Sequence, residues 1–102
     1  MNSKINFYIT YNAQNSIDKH IQFLSNVSIK AAIKLNEILK DYILILKYFP
    51  KIGKMIYKIK EPPIQFRKLV INKQYILIYY IQKNNVFIDD ILDARQNNSN
   101  KI

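Results

Sequence analysis

The chain opens on alternation. In "KINFYITY", residues 4–11, Ile5, Phe7, Ile9 and Tyr11 fall on one side and Asn6, Tyr8 and Thr10 on the other. Period two with branched and aromatic residues predicts a strand with one face in a core. Asn12 then suits a helix cap. Ala13, Ile17, Ile21 and Leu24 recur at helical spacing, one stripe of a helix about three turns long. "SNVS" interrupts it, and Ser28 is a fitting cap for a second helix reaching about Lys47. There Ala32, Leu35, Leu39, Tyr42, Leu46 and Phe49 form the apolar stripe, widened by Ala31, Ile38 and Ile45. Lys30, Lys34, Glu37, Lys40, Asp41 and Lys47 cover most of the other side. Ile33 and Leu44 fall nearer the polar face, as ordinary exposed residues or as part of a surface that a partner covers.

"YFPKIG" ends the second helix, because Pro50 cannot continue it and Gly53 permits a turn with positive φ. Strand patterns follow. "KMIYKIK" alternates with a basic outer edge, "EPP" breaks it, and residues 64–71 and 74–82 form a hairpin about Asn72-Lys73. The second hairpin strand, "QYILIYYIQ", is apolar on both faces and belongs inside a sheet. "KNN" turns the chain into a last strand, "VFIDDIL", and the polar residues 97–102 are expected to fray. The fold class is α+β, in the order β-α-α-β-β-β-β. Its twisted, mostly antiparallel sheet carries both helices on one face. Two amphipathic helices in tandem also fit a helical hairpin that binds another helix. Either arrangement needs a second layer, since each helix buries one face.

Composition narrows the function. A chain of 102 residues with 49% hydrophobic content makes one globular domain, expected over residues 1–96. It has no cysteine, which excludes disulfides and thiolate metal sites. No apolar stretch approaches the length of a membrane span, and the N-terminus lacks the pattern of a signal peptide, so a cytoplasmic chain without membrane contact is expected. Sixteen Lys and Arg against seven acids give a net charge of +9. Such a surplus fits a polyanion or an acidic protein partner, although a Lys/Asn/Ile-rich genome produces the same bias.

Most catalytic signatures are missing. There is no phosphate-binding glycine loop, no histidine pair and no cysteine nucleophile. His20, the one histidine, lies beside the first helical stripe with no acid at helical spacing, and reads as a boundary residue. Asp89, Asp90 and Asp93 cluster near the end, but alternation sets Asp89 and Asp90 on opposite faces, against a metal site. No cofactor is expected. What remains is cationic and aromatic: Lys58, Lys60, Arg67, Lys68, Lys73 and Arg95 neighbour Tyr57, Phe66, Tyr79 and Tyr80. Some of the hairpin cations are expected on the sheet's open face or its rim, with Arg95 in reach. Cations position phosphates and rings stack on bases. A solvated basic face with core tyrosines gives the same pattern. RNA cleavage would need Arg and Lys to stabilise charge on phosphorus, and a Lys or Tyr to take the ribose proton.

The ordered pieces "YFPKIG", "FRKLVINKQYILIYYI" and "VFIDDILDARQ" resemble the RelE/ParE toxins of bacterial type II toxin–antitoxin modules over about residues 5–96. The resemblance implies a twisted antiparallel sheet with two N-terminal helices. It implies a cognate antitoxin that wraps the toxin with an acidic or amphipathic segment in a hetero-oligomer. It also implies either ribosome-dependent, metal-independent mRNA cleavage or poisoning of DNA gyrase. By position, Arg67 and Arg95 match basic residues of the nucleases. Lys58, Lys60, Lys68, Lys73 and Gln96 are the expected contacts to nucleic acid or another target. Three departures weaken cleavage. Ile76 follows Tyr75 where the nucleases carry an Arg, Asp93 stands where many carry a His, and no Tyr follows Tyr80. The pattern looks more ParE-like. A degenerate member that keeps only antitoxin binding also fits it.

Overall fold

The computed structural model describes residues 5–95. Its elements run β1 (Asn6–Ile9), α1 (Tyr11–Val27), α2 (Ile29–Tyr48), β2 (Lys54–Ile59), β3 (Ile64–Ile71), β4 (Tyr75–Gln82) and β5 (Asn85–Asp93). The strands form one sheet in the order β1-β5-β4-β3-β2. All neighbours are antiparallel except β1, which runs parallel to β5. This is the expected α+β layout. No helix among the described residues is long and apolar enough to cross a membrane.

β4 is the middle strand, and Tyr75 through Tyr79 are buried without interruption. That is why its sequence is apolar on both faces. One side of the sheet, with Ile71, Tyr75, Leu77, Tyr79, Val86, Ile88 and Ile91, joins Ala13 and Ile17 of α1 and Leu35, Leu39 and Leu46 of α2 in the main core. The helices therefore lie on the strands rather than in a separate hairpin. The other side carries a smaller cluster of Phe66, Ile76 and Ile78, with Ile56, Ile64, Tyr80, Leu92 and Ala94 packed around it.

Several local expectations need correction. Thr10, not Asn12, caps α1: its hydroxyl accepts from the Ala13 N–H at 3.0 Å. The helix begins at Tyr11, which is 84% exposed rather than a core position of the strand, and it spans 17 residues. Ser28 caps α2 as expected, accepting from the Ala31 N–H. Phe49 lies beyond the last turn of α2 and is exposed, so it leaves the buried stripe. Gly53 does not use positive φ. Its reason is space: a Cβ there would meet the Tyr79 hydroxyl at 2.6 Å and the Lys68 carbonyl at 2.8 Å. Positive φ belongs instead to Lys83 in the β4–β5 turn and to Asn72 and Lys73, the two central residues of the β3–β4 turn, closed by Gln74 N–H to Ile71 O at 3.2 Å.

Candidate functional site

Residues directly opposite on neighbouring strands share a face. Arg67 lies opposite Tyr79 and Met55, which sets it on the helix side. Its guanidinium donates from one nitrogen to the carbonyls of Gly53, at 2.8 Å, and Lys51, at 3.1 Å. Beside it, the buried Tyr79 hydroxyl donates to Pro50 O at 2.7 Å and accepts from the Gly53 N–H at 2.8 Å. Burial pushes the Tyr79 phenol up, while the Gly53 N–H and Arg67 pull against that. Arg67 and Tyr79 together hold the 50–53 connection onto the sheet.

The other expected cations scatter. Lys68 lies opposite Ile78 and Lys54, on the open face. Lys58 lies opposite Gln65, away from Phe66. Lys60 is exposed beyond β2, and Lys73 sits at the tip of the β3–β4 turn. Arg95 follows β5 and binds Asp93 through two contacts, Nε to Oδ1 at 3.0 Å and Nη2 to Oδ2 at 2.9 Å. Asp93 pairs with Tyr75, while Arg67 pairs with Tyr79. Four residues of strand and two strand spacings thus part Arg67 from Asp93, on the order of 16 Å between backbones. Arg67 and Arg95 do not converge on one phosphate-sized point. Gln96 lies outside the described residues, as do residues 97–102.

Two arrangements escaped the sequence. The first is a cleft of about 640 Å³ between α1 and β5, lined by Ser16, Lys19, His20, Leu92, Asp93 and Arg95 among others. His20 meets Ile91 O at 3.2 Å through Nε2 and sets its ring edge against Tyr75, with centroids 5.3 Å apart. The acid near His20 comes from a strand, so helical spacing could not reveal it. The Arg95 hydrogen bond holds the Asp93 carboxyl below its ordinary range, with smaller help from His20.

The second is a β-bulge in β5. Ile88 pairs with Tyr79 and Asp90 with Ile78, leaving Asp89 as the extra residue. Alternation from Ile88 and register from Ile91 then set Asp89 and Asp90 both toward the open face, not on opposite faces. The Asp89 carbonyl, freed from the ladder, accepts from Thr10 Oγ1 at 3.1 Å and Asn12 Nδ2 at 2.9 Å. Asp90 accepts from Ser16 Oγ at 2.6 Å and from the Ile91 N–H at 2.8 Å. Burial, and then Asp90, push the Asp89 carboxyl above its ordinary range. Among the described residues, no group of three His, Asp or Glu could hold a metal ion.

No family model matches the chain, and no curated protein matches it. Among solved structures, a chain described as "Chromosomal ParDE TA system from P. aeruginosa" is similar, with a TM-score of 0.67 and 13% identity. The match covers 88% of this chain and 96% of that one. The resemblance to the RelE/ParE toxins therefore holds at the level of the fold.

Proposed function

We propose that this chain is the toxin of a type II toxin–antitoxin module, which arrests growth until a cognate antitoxin binds it in a hetero-oligomer. The observation that carries this reading is the fold shared with the ParDE chain over nearly the whole of both. Within that reading, inhibition of DNA gyrase in the ParE manner is favoured over mRNA cleavage. Phosphoryl transfer on RNA needs cations gathered about one phosphate. Here Ile76 occupies the position of a nuclease arginine and is 5% exposed in the open-face cluster. Arg67 serves loop carbonyls, and Arg95 is paired with Asp93. Loss of one such donor costs about two to three orders of magnitude in rate.

The net charge of +9 favours the second reading, a ribosome-dependent endonuclease working without a metal through Lys58, Lys60, Arg67 and Arg95. Two assays separate the readings. The chain is expressed under tight control and growth is followed, then purified protein is added to a gyrase supercoiling reaction and to translating ribosomes. The expected result is growth arrest, inhibited supercoiling and intact mRNA. Codon-linked cleavage overturns the gyrase reading. Normal growth with neither effect leaves a member that only binds its antitoxin.

A further inference from the structure

The two edges of the sheet are finished differently. β2, at one edge, carries Lys54 and Lys58, and its pairing with β3 shifts register between Met55 and Lys58. Charges and bulges of this kind keep an edge from accepting further strands. β1, at the other edge, reads Asn-Phe-Tyr-Ile, with no charge and no such shift in its pairing with β5. The Asn6 and Thr10 N–H groups, at its two ends, donate to Asn84 O and Ile88 O, each at 3.0 Å. The side chains of Thr10 and Asn12 hold the Asp89 carbonyl, so the strand is anchored where α1 begins. Backbone groups alternate in direction along a strand. The N–H and C=O groups of Phe7 and Ile9 therefore point away from β5, toward the side on which the sheet has no further strand.

Both faces beside this edge have room for a guest. On the open face, Tyr57, Phe66, Tyr80, Phe87 and Tyr8 form a ribbon of rings, one from each strand, with centroid separations of 4.7, 5.1, 4.9 and 5.1 Å. That spacing is close to the distance between strands, about 4.8 Å. Each ring thus meets the ring of the next strand, and the ribbon stops at Tyr8 because the sheet stops there. Phe87 covers one side of the Tyr8 ring, 20° from parallel, and Tyr8 stays 48% exposed. On the helix side a cavity of about 230 Å³ adjoins β1, with Ile9, Ile17, Leu39, Leu77 and Ile88 in its wall. Ile9, the β1 residue of that wall, is 43% exposed. Lys40 also lines the cavity, and the chain carries a charge of +9.

We propose that an extended segment of an acidic partner protein adds to the five-stranded sheet as a sixth strand, outside β1 and antiparallel to it. Antiparallel pairing is the more stable ladder, and it joins the residues opposite Phe7 and Ile9 to them through both N–H and C=O. The residue between those two faces Tyr8 and continues the ribbon with an aromatic ring. Its two neighbours are apolar and stand on the helix side, the one opposite Ile9 at the cavity. Acidic residues flank the three, answering Lys40 and the net charge. A second copy of this chain brings the same charge of +9, which opposes the pairing. The inference goes beyond the toxin reading and does not require it.

The test is titration of the whole chain with the peptide acetyl-Glu-Glu-Val-Phe-Val-Glu-Glu-amide, read on the backbone amide signals by NMR. The control is the same peptide with both valines N-methylated, which removes the two donors facing β1 and keeps the side chains and the charge. The expected result is saturable shifts at Phe7, Tyr8 and Ile9, slowed exchange of the Phe7 and Ile9 N–H groups, and binding about tenfold weaker for the methylated peptide. Tyr8→Ser removes the stacking ring and weakens the unmodified peptide about fivefold. Tyr57→Ser, at the ribbon's other end, leaves it unchanged. Ile9→Pro, which removes one outward N–H, weakens it about fivefold, and Tyr8→Ser decides the matter if that variant fails to fold. Equal binding of the two peptides, or shifts centred on β2, overturns the proposal. So does dimerisation of the chain alone through the same amides, which gives the edge to a second copy. A short oligouridylate that shifts these amides and displaces the peptide overturns it as well. Gyrase and ribosome assays do not enter this test, so its failure leaves the toxin reading standing.

Discussion

The two faces of β4 show how one sheet can be finished in two chemical styles. On the helix side, aliphatic residues of α1 and α2 seal Leu77, Ile88 and Ile91, and polar groups are closed internally. Tyr79, fully buried, has both its hydroxyl partners in the 50–53 connection, and Arg67 serves the same segment. On the other side no helix covers the sheet. There five rings, Tyr57, Phe66, Tyr80, Phe87 and Tyr8, form a ribbon across the strands beside the aliphatic Ile76 and Ile78, and its two ends, Tyr57 and Tyr8, are about half exposed. The comparison teaches that a cation in a strand need not mark a binding face. Arg67 serves the side that holds the fold, while the side that no helix covers is lined by aromatic rings.

The largest effect should come from the helix side. Gly53→Ala places a Cβ within 2.8 Å of the Lys68 backbone carbonyl, which cannot swing away, and within 2.6 Å of the Tyr79 hydroxyl. The expected loss is about 3 kcal/mol, visible as a large fall in the urea midpoint. A near-native midpoint would show that the connection is loose and the helix-side account wrong. Arg67→Ala comes next. It leaves the Gly53 and Lys51 carbonyls without their charged donor and should cost about 1.5 kcal/mol. Its signature is lower stability with growth arrest retained at a permissive temperature. Unchanged stability with abolished toxicity would return Arg67 to the catalytic role that its position in the sequence suggested.

The open face should respond more weakly, and unevenly. Phe87 stacks on rings at both sides, Tyr80 at 4.9 Å and Tyr8 at 5.1 Å. Phe87→Leu should cost about 1 kcal/mol beyond the lost area, and Tyr8→Leu, at the ribbon's end, about half of that. Thermal melts of both variants and of the double variant measure it. Coupling between the two sites is expected because they touch. Strict additivity would mean that the rings are neighbours without being a unit.

Much of this architecture was legible in the sequence because it follows from period and polarity. The unbroken apolar run of β4 announced a central strand, and Ser28 announced the break between two helices. The stripe of Ala13, Ile17, Ile21 and Leu24 named the face of α1 that packs. The site was less legible for identifiable reasons. A bulge shifts register by one residue and moves side chains between faces, so alternation put Asp89 and Asp90 apart when the sheet sets them together. The company of His20 comes from β5, and helical spacing is blind to it. Arg67 is read correctly as a strand cation, but its partners are backbone carbonyls, which leave no mark in residue identities. Gly53 suggests flexibility in the sequence, whereas its constraint in the fold is the room that Tyr79 needs.

The smallest effect is also the sharpest comparison, because β5 carries two carboxylates with opposite perturbations. Asp89 on the open face is raised by burial and by Asp90; Asp93, paired with Tyr75, is lowered mainly by the Arg95 hydrogen bond. A raised carboxyl holds its proton more tightly in the folded protein than in the unfolded chain. Asp89 therefore weakens the fold above its folded pKa, and that penalty is removed as pH falls through that value toward the unfolded one. A lowered carboxyl does the reverse: Asp93 contributes stability above the unfolded value, and loses it as pH falls through its folded pKa. Carboxyl NMR titration should place the Asp89 midpoint above the ordinary range and the Asp93 midpoint below it. Arg95→Ala should move Asp93 back upward and leave Asp89 where it was. Asp89→Asn should raise the melting temperature by about a few degrees at neutral pH, with the gain shrinking in acid. If Asp89 titrates at or below Asp93, burial does not govern Asp89 and the contrast between the two carboxylates is wrong.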